Sequence, residues 1–435
     1  SLVGSEMCIR DRLHTERSDH RDAGILHRRI RRNAPIGRNA EKGDCRRAVL
    51  FRWQTEQFLG MRIGENHDLC RLCRKKAEIL AERCIFWYNI STVLTKSSTG
   101  KAESEECTMS DMIKGTMISY RPDIKVLDAT IRDGGLVNNF EFTDDFVRKL
   151  YLTNLRAGVD IMEIGYLADP ELFEESKFGK WKFCDEEDIR AIVGDNDSPL
   201  KLSVMADVGR CDFKKDILPK SESVIDMIRI ATYTHQMPGA LEMINYCHDM
   251  GYETTINIMA VSASREDDIA QALDLVAKSP VDVIYLVDSY GSLFPEQVRR
   301  LTAQYCEVAE ASGKKVGVHM HNNQQLAFAN TIESISHGAS FADATMSGMG
   351  RGAGNCFMEQ MLSFLRNPNY KLTPTLKFVE KYVAEERAKG SQWGYDVPYM
   401  LTGALNRHPR AAIAFLKDNR TDYNELYMDL LNELS

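Results

Sequence analysis

Long apolar runs are absent from this 435-residue chain. The longest, Cys84 to Thr95, is broken by Asn89 and Ser91 and falls short of the roughly 20 apolar residues a membrane-spanning helix needs. Cysteines that could pair are also scarce. Beyond residue 117 only Cys184, Cys211, Cys247, Cys306 and Cys356 remain, odd in number and scattered. That excludes a small disulfide-stapled scaffold and suits reduced thiols in a cytoplasmic enzyme. A basic excess is missing too: the formal charge is −8, with 43% hydrophobic and 27% charged residues, the profile of an ordinary globular chain. No nucleic-acid or membrane partner is expected.

The charge is unevenly spread. Residues 1–117 carry 22 Lys and Arg against 16 Asp and Glu, and the remainder carries 33 against 47. Within residues 1–53 there are twelve Arg, one lysine (Lys42), and no sustained apolar period of 3.6 or 2, so little is present to build a core. The opening segment Ser1 to Arg12 resembles a recurrent translated adapter sequence. Residues 1–117 are therefore expected to be disordered or non-native translated sequence, with Met109, Met112 and Met117 as plausible true starts. A chain beginning at Met109 is expected to fold and act like the full one. His67, Cys70, Cys73 and Cys84 offer only one paired half-site and a lone cysteine, so zinc is not expected there.

From residue 123 onward the pattern repeats strand, loop and helix. Short β-branched runs recur at Val126–Ile131, Ile161–Tyr166, Leu202–Ala206, Met227–Ala231, Thr254–Met259, Val283–Val287, Val316–Met320 and Phe341–Met346. Amphipathic stretches of helical length lie between them, including Thr143–Ala157, Arg265–Lys278, Pro295–Ser312 and Gln324–Gly338. Thr143 and Ser264, each followed by acidic residues, mark helix starts. Eight such units predict an α/β fold, a (β/α)8 TIM barrel over residues 118–355, and the loss of strand rhythm afterwards predicts a C-terminal helical extension over 356–435.

Chemistry-bearing residues gather at the predicted strand ends. The first strand runs into Thr130-Ile-Arg-Asp-Gly-Gly135, the second carries Glu163, and the sixth ends in Asp288-Ser-Tyr-Gly291. The seventh ends in His319-Met-His-Asn-Asn323, and the eighth leads into Gly348 to Asn355. In a barrel these converge on one rim. His319 and His321 are two apart on a strand, so they share a face and can bind one metal ion. Asp133 would add an oxygen ligand and Asn355 a fourth contact, leaving positions open for substrate. Each element also has a plainer reading. The histidines could be packing residues, Arg132-Asp133 an ion pair, Asp288-Ser289 a helix cap, and Gly350–Gly354 a flexible turn or phosphate loop. Their joint placement at four or five strand ends favours a site.

Taken in order, these segments resemble the metal-dependent pyruvate aldolases, such as the 4-hydroxy-2-oxovalerate aldolases, within the wider group of HMG-CoA lyase and the 2-isopropylmalate synthases. The resemblance covers about residues 123–365 and rests on Leu127 to Gly135, Ile161 to Gly165, Val287 to Pro295, Val318 to Asn323 and Gly348 to Asn355. It is closest to a subgroup of aldolase catalytic domain proteins sharing the wording Arg-Asp-Gly-Gly-Leu-Val-Asn-Asn. It implies that Asp133, His319 and His321 are metal ligands and Asn355 a further one. Arg132 is implied as the cation that stabilises an enolate, and Glu163 as a partner organising the metal shell.

One departure stands out: the hydroxy-oxovalerate aldolases place a histidine base just after the strand-one aspartate, where this chain has Gly134, Gly135, Leu136 and Val137. His235, Tyr166, Tyr395 and Tyr399 are the alternatives. The expected activity is divalent-metal-dependent cleavage or formation of a C–C bond in a 4-hydroxy-2-oxo acid through a pyruvate-type enolate, with Mn²⁺ or Mg²⁺ favoured by the oxygen ligands and Zn²⁺ also compatible. The expected partner is a small 2-oxo acid, with homo-oligomerisation left open. An acyl-CoA-dependent Claisen-type synthase or lyase ranks second, because the acidic barrel segment shows no dense basic patch for a polyphosphate. A non-catalytic metal-binding barrel ranks third.

Overall fold

The computed structural model describes residues 121–433, so the expectations for residues 1–117 and the cysteine cluster lie outside the described residues. Eight strands form a closed barrel: β1 Lys125–Asp128, β2 Ile161–Tyr166, β3 Lys201–Asp207, β4 Met227–Thr232, β5 Glu253–Ile258, β6 Val283–Asp288, β7 Lys315–Met320 and β8 Phe341–Ala344. Every pairing is parallel, and β1 closes on β8 with Leu127 opposite Asp343. The fold is thus the TIM barrel that the strand spacing predicts.

Alternation along the strands divides the core in two. Even-numbered residues such as Val126, Ile164, Val204, Ile228, Ile256, Leu286 and Val318 pack outward in the large core shared with the helices. The barrel interior holds small apolar groups, Leu127, Ala129, Ile161 and Met227 in one and Val283, Tyr285 and Val287 in the other, with Phe341 touching both. Gly317 is required on β7 because a Cβ there would lie 2.5 Å from the Tyr285 ring that fills the barrel.

The helix Asp144–Ala157 starts as read, with the Thr143 hydroxyl accepting from the Phe146 N–H at 3.2 Å and acids in the first turn. In the helix Glu266–Ala277 the N-cap position is held by Arg265, which makes no side-chain cap, and the Ser264 hydroxyl donates back to the Ala260 carbonyl. The largest local correction falls at strand one. The strand stops at Asp128, and Thr130–Asn138 is a helix that includes the whole Arg-Asp-Gly-Gly segment. The Asp128 carboxylate causes the switch: it accepts from the Thr130 N–H at 3.0 Å and from Asn154 Nδ2 at 2.5 Å, bending the chain off the sheet.

Beyond β8 the chain is helical. Met358–Leu365 buries Met358, Met361, Leu362 and Leu365 in the barrel's outer core. Leu372–Phe378 continues through a π turn into Ala384–Ala388. Val397–Ala404, Arg410–Lys417 and Tyr423–Asn432 follow, with a small core of their own around Phe415, Leu426 and Leu430. Gln324 Nε2 donates to the Met400 carbonyl at 2.7 Å and Asn323 Nδ2 to that of Tyr399 at 3.3 Å, tying the extension to the loop after β7. Among the described residues no helix is long and apolar enough to cross a membrane.

Candidate active site

The turn after β1 delivers Arg132 and Asp133 to the C-terminal mouth of the barrel, and the end of β7 delivers His319 and His321. All four are nearly inaccessible to solvent. One ligand atom from each of Asp133, His319 and His321 lies within 4.8 Å of the others, and the two imidazole rings meet nearly edge to face at 5.0 Å. Burial alone would raise the Asp133 carboxyl, but Arg132, His321, His319 and Arg351 together hold it well below the usual carboxylate range. Burial pushes His321 down, with Asp133 opposing the shift only in part. The cluster therefore offers one carboxylate and neutral imidazole nitrogen, the forms that bind a cation.

Two orphaned atoms test this fit. His319 Nδ1 lies 3.0 Å from Asp343 Oδ2, which assigns the ring proton to that side; the opposite nitrogen, Nε2, is buried with no partner. Asn355 donates through Nδ2 to Asp133 and to the Met349 carbonyl, which leaves its buried Oδ1 equally without a partner. An unpaired imidazole nitrogen and an unpaired amide oxygen beside a carboxylate fit a divalent cation. Gly350 makes the approach possible, since a Cβ there would lie 2.6 Å from Asp133 Oδ2 and closer still to Asn355.

Arg132 is fixed from below. Its Nε donates to Glu163 Oε2 at 2.7 Å and its Nη1 to Asp133 Oδ1 at 3.0 Å. Glu163 points into the barrel one layer beneath the mouth and lines no part of the cavity. Its Oε2 accepts from both Arg132 and Arg229, so its geometry is that of a residue positioning Arg132. Arg229, wholly buried, donates to Glu163 at 2.8 Å and to Asp343 Oδ2 at 2.6 Å with its guanidinium 4.4 Å from the Tyr285 ring. A continuous chain of alternating charge therefore runs Arg132, Glu163, Arg229, Asp343, and ends on the His319 ring. Sequence reading missed Arg229 and Asp343. Their signal was present as single charges inside the apolar strands Met227-Ile-Arg-Ile-Ala and Phe341-Ala-Asp-Ala, positions that are expensive unless paired.

The cavity above these groups has a volume of about 250 Å³. Five cationic side chains line it, Arg132, Lys182, Arg210, Arg351 and Arg410, against the carboxylates Asp133 and Asp207. This corrects the expectation that the barrel lacks a basic patch: the cations come from separate loops, and no sequence window contains them together. Asp207, at the end of β3, has a buried Oδ1 with no partner; burial raises its carboxyl, with Lys182, Arg210 and Arg132 opposing. Of the proposed bases, Tyr166 lines the cavity but is pushed above its ordinary value by burial and then Asp207. His235, Tyr395 and Tyr399 are not among the lining residues, and Tyr395 is 59% exposed. Asp288 does not cap the following helix, whose N-cap is Phe294; it accepts instead from the Ser292 and Leu293 N–H groups of the intervening loop.

A closed eight-stranded barrel with a carboxylate and two histidines at its C-terminal mouth defines the class of TIM-barrel lyases to which this chain's motifs point. The HMGL-like family profile matches residues 123–382, and the chain belongs to that family. It is 31% identical to an oxaloacetate decarboxylase from Mycobacterium tuberculosis over 55% of this chain and 69% of that one. It is 28% identical to a 4-hydroxy-2-oxovalerate aldolase from Pelotomaculum thermopropionicum, over 58% and 72% respectively. The N-terminal domain of a candidate aldolase from Bacteroides vulgatus superposes with a TM-score of 0.61 at 29% identity, covering 67% of this chain and 96% of that one. The HMG-CoA lyase of Pseudomonas aeruginosa, at 15% identity and a TM-score of 0.52 over 68% of this chain and 99% of its own, shares the fold. The protein is an enzyme, a carbon–carbon lyase of the HMGL-like family.

Proposed function

We propose that this enzyme cleaves, or in reverse forms, the C3–C4 bond of a 4-hydroxy-2-oxo acid by way of a pyruvate-type enolate, with a divalent cation held by Asp133, His319, His321 and Asn355. The observation that carries the reading is the pair of orphaned buried atoms, His319 Nε2 and Asn355 Oδ1, beside the Asp133 carboxylate and the Arg132 guanidinium. A bound Mn²⁺ or Mg²⁺ would supply Lewis-acid polarisation of the 2-oxo group, and Zn²⁺ is compatible with the two imidazoles.

The protein's own groups do the rest. Arg132, locked by Glu163 and Asp133 and with its Nη2 3.5 Å from His319 Nδ1, keeps N–H groups to donate where negative charge grows on the keto oxygen as the bond breaks. The proton on the C4 hydroxyl passes to Asp207, the cavity carboxylate with an unengaged oxygen. The C3–C4 electron pair goes to C3 to give the enolate, C4 leaves as an aldehyde carbonyl, and protonation at C3 releases pyruvate.

A second reading is oxaloacetate decarboxylation, favoured by the 31% identity to the mycobacterial enzyme of that name. It forms the same enolate but needs no hydroxyl base. The test is a screen of 4-hydroxy-2-oxo acids and oxaloacetate with the metal-loaded enzyme, reading pyruvate by a coupled assay. Aldehyde and pyruvate released in equal amounts support cleavage. Turnover of oxaloacetate alone supports decarboxylation and overturns the first reading.

A further inference from the structure

The cations around the cavity are not all accounted for by the chemistry above. On one wall, Arg210 has Asp207 at 3.8 Å, and the Lys182 ammonium is boxed by the Tyr166 and Phe173 rings at 4.4 and 4.5 Å. On the other wall, Arg351 from the loop after β8 meets His408 and Arg410 from the C-terminal extension. There, among the described residues, no carboxylate lies within ion-pair distance of either arginine.

Arg351 Nη1 lies 3.3 Å from His408 Nε2, its Nη2 donates to the Ser289 carbonyl at 3.4 Å, and its Nε is buried with no partner. The backbone N–H of Arg410 donates toward His408 Nδ1 at 3.1 Å, and the Arg410 side chain lines the cavity beside it. Donors thus face both nitrogens of one imidazole. A neutral imidazole accepts at only one nitrogen, so one donor is always left over for something else. Burial, followed by the two guanidiniums, pushes His408 down to about 4, so the imidazole stands neutral between them and offers them no charge. The buried Arg351 Nε is costly to leave unpaired, and an anion reaching it would complete it, with the exposed Arg410 side chain on the same wall.

The cluster also adjoins the reacting centre, because Arg351, His408 and Arg410 line the same cavity as Asp133, His319 and His321. We propose that Arg351, His408 and Arg410 form a subsite for a second anionic group, so that the substrate is a 2-oxo acid whose far end carries a carboxylate or a phosphate. The inference rests on the pyruvate-enolate reading for where the oxo-acid head lies, and it makes the C-terminal extension the part of the chain that selects the tail. Tyr290, whose ring lies 5.7 Å from that of His408 and which also lines the cavity, borders the subsite.

The test uses the full chain loaded with Mn²⁺ and calorimetric titration with three ligands that share one head. These are 2-oxobutanoate with a neutral tail, 2-oxoglutarate with a carboxylate tail, and a 2-oxo acid ending in a phosphonate. At least one anionic-tail ligand is expected to bind ten- to a hundredfold more tightly than 2-oxobutanoate, as a charge-assisted contact supplies. Whichever tail wins identifies the carboxylate or the phosphate. Arg410→Met is expected to bring the ligands to within about threefold of each other, and Arg351→Met serves as the second variant. Equal affinity for all three in the wild type, or an Arg410→Met variant that keeps the full preference, would overturn the subsite. The two readings fail separately. If no 4-hydroxy-2-oxo acid is cleaved while the anionic-tail preference and its loss persist, the aldolase reading falls and the subsite stands. If cleavage occurs without tail preference, the reverse holds.

Discussion

The two walls of the cavity use charge differently. On the barrel side the arginines are matched, Arg132 by Glu163 and Asp133, Arg229 by Glu163 and Asp343, Arg210 by Asp207, and Lys182 is held by aromatic rings instead. On the extension side Arg351 and Arg410 line the cavity beside His408, and among the described residues neither has a carboxylate within ion-pair distance. Matched charges deep in a barrel hold side chains in one geometry, at a desolvation cost that ion pairing offsets. Unmatched charges at a cavity wall are free to be completed by a ligand. The barrel wall therefore builds the reacting centre, and the extension wall reads what is attached to it.

Breaking the barrel wall should have the larger consequences. His319→Ala with His321→Ala is expected to abolish C–C cleavage and reduce bound divalent metal far below one per chain by elemental analysis, with the fold retained. Full metal occupancy in that variant would show the site to be misplaced. Arg229→Met removes the shared partner of Glu163 and Asp343 and leaves both uncompensated; a loss of about 3–5 kcal/mol in stability by denaturant unfolding is expected. A change within about 0.5 kcal/mol would mean the charge chain is not structural.

Arg132→Lys should keep the metal but lose about 10²–10³ in turnover, because an ammonium cannot both occupy the Glu163 and Asp133 contacts and present a third donor in the same plane. Wild-type turnover in this variant would remove Arg132 from the mechanism.

Asp207→Asn sharpens the assignment of the base. As a base Asp207 must be unprotonated, and the groups acting on it are Lys182, Arg210, Arg132, Glu163 and the neighbouring Tyr166. Since its carboxyl is raised, turnover in the wild type is expected to fall as pH drops through that raised value. The variant should lose about 10² in aldol cleavage and also lose this acidic limb, while any decarboxylation of oxaloacetate is untouched. An unchanged pH profile in the variant would assign the proton to another group. The smallest effect belongs to the extension wall, where Arg410→Met changes preference among tails by ten- to a hundredfold.

Much of this was legible from sequence because the barrel's signals are local. Strand two matches its predicted span, Ile161–Tyr166, since a fully buried parallel strand is a short β-branched run with nothing to obscure it. His319 and His321 could be paired from spacing alone. Strand one was over-extended because Val126–Ile131 reads as a single apolar run, and only Asp128 and its tertiary partner Asn154 end it early. The charge chain was hidden for a related reason: Arg229 and Asp343 lie 114 residues apart, and only barrel closure brings them together. The extension was read correctly as helical, yet its contribution of His408 and Arg410 to the cavity carried no motif. Residues that act by filling the far side of a pocket depend on packing between elements, which neither period nor spacing records.

The central claim is that Asp133, His319 and His321 hold a divalent cation needed for carbon–carbon cleavage. The most direct measurement is pyruvate release from a 4-hydroxy-2-oxo acid by the chelator-stripped enzyme, titrated with Mn²⁺ in the wild type and in the His319→Ala, His321→Ala variant. The account predicts no turnover in the stripped wild type, recovery that saturates at one ion per chain, and no recovery in the variant. Full turnover by the stripped enzyme, or equal recovery in the variant, would contradict it.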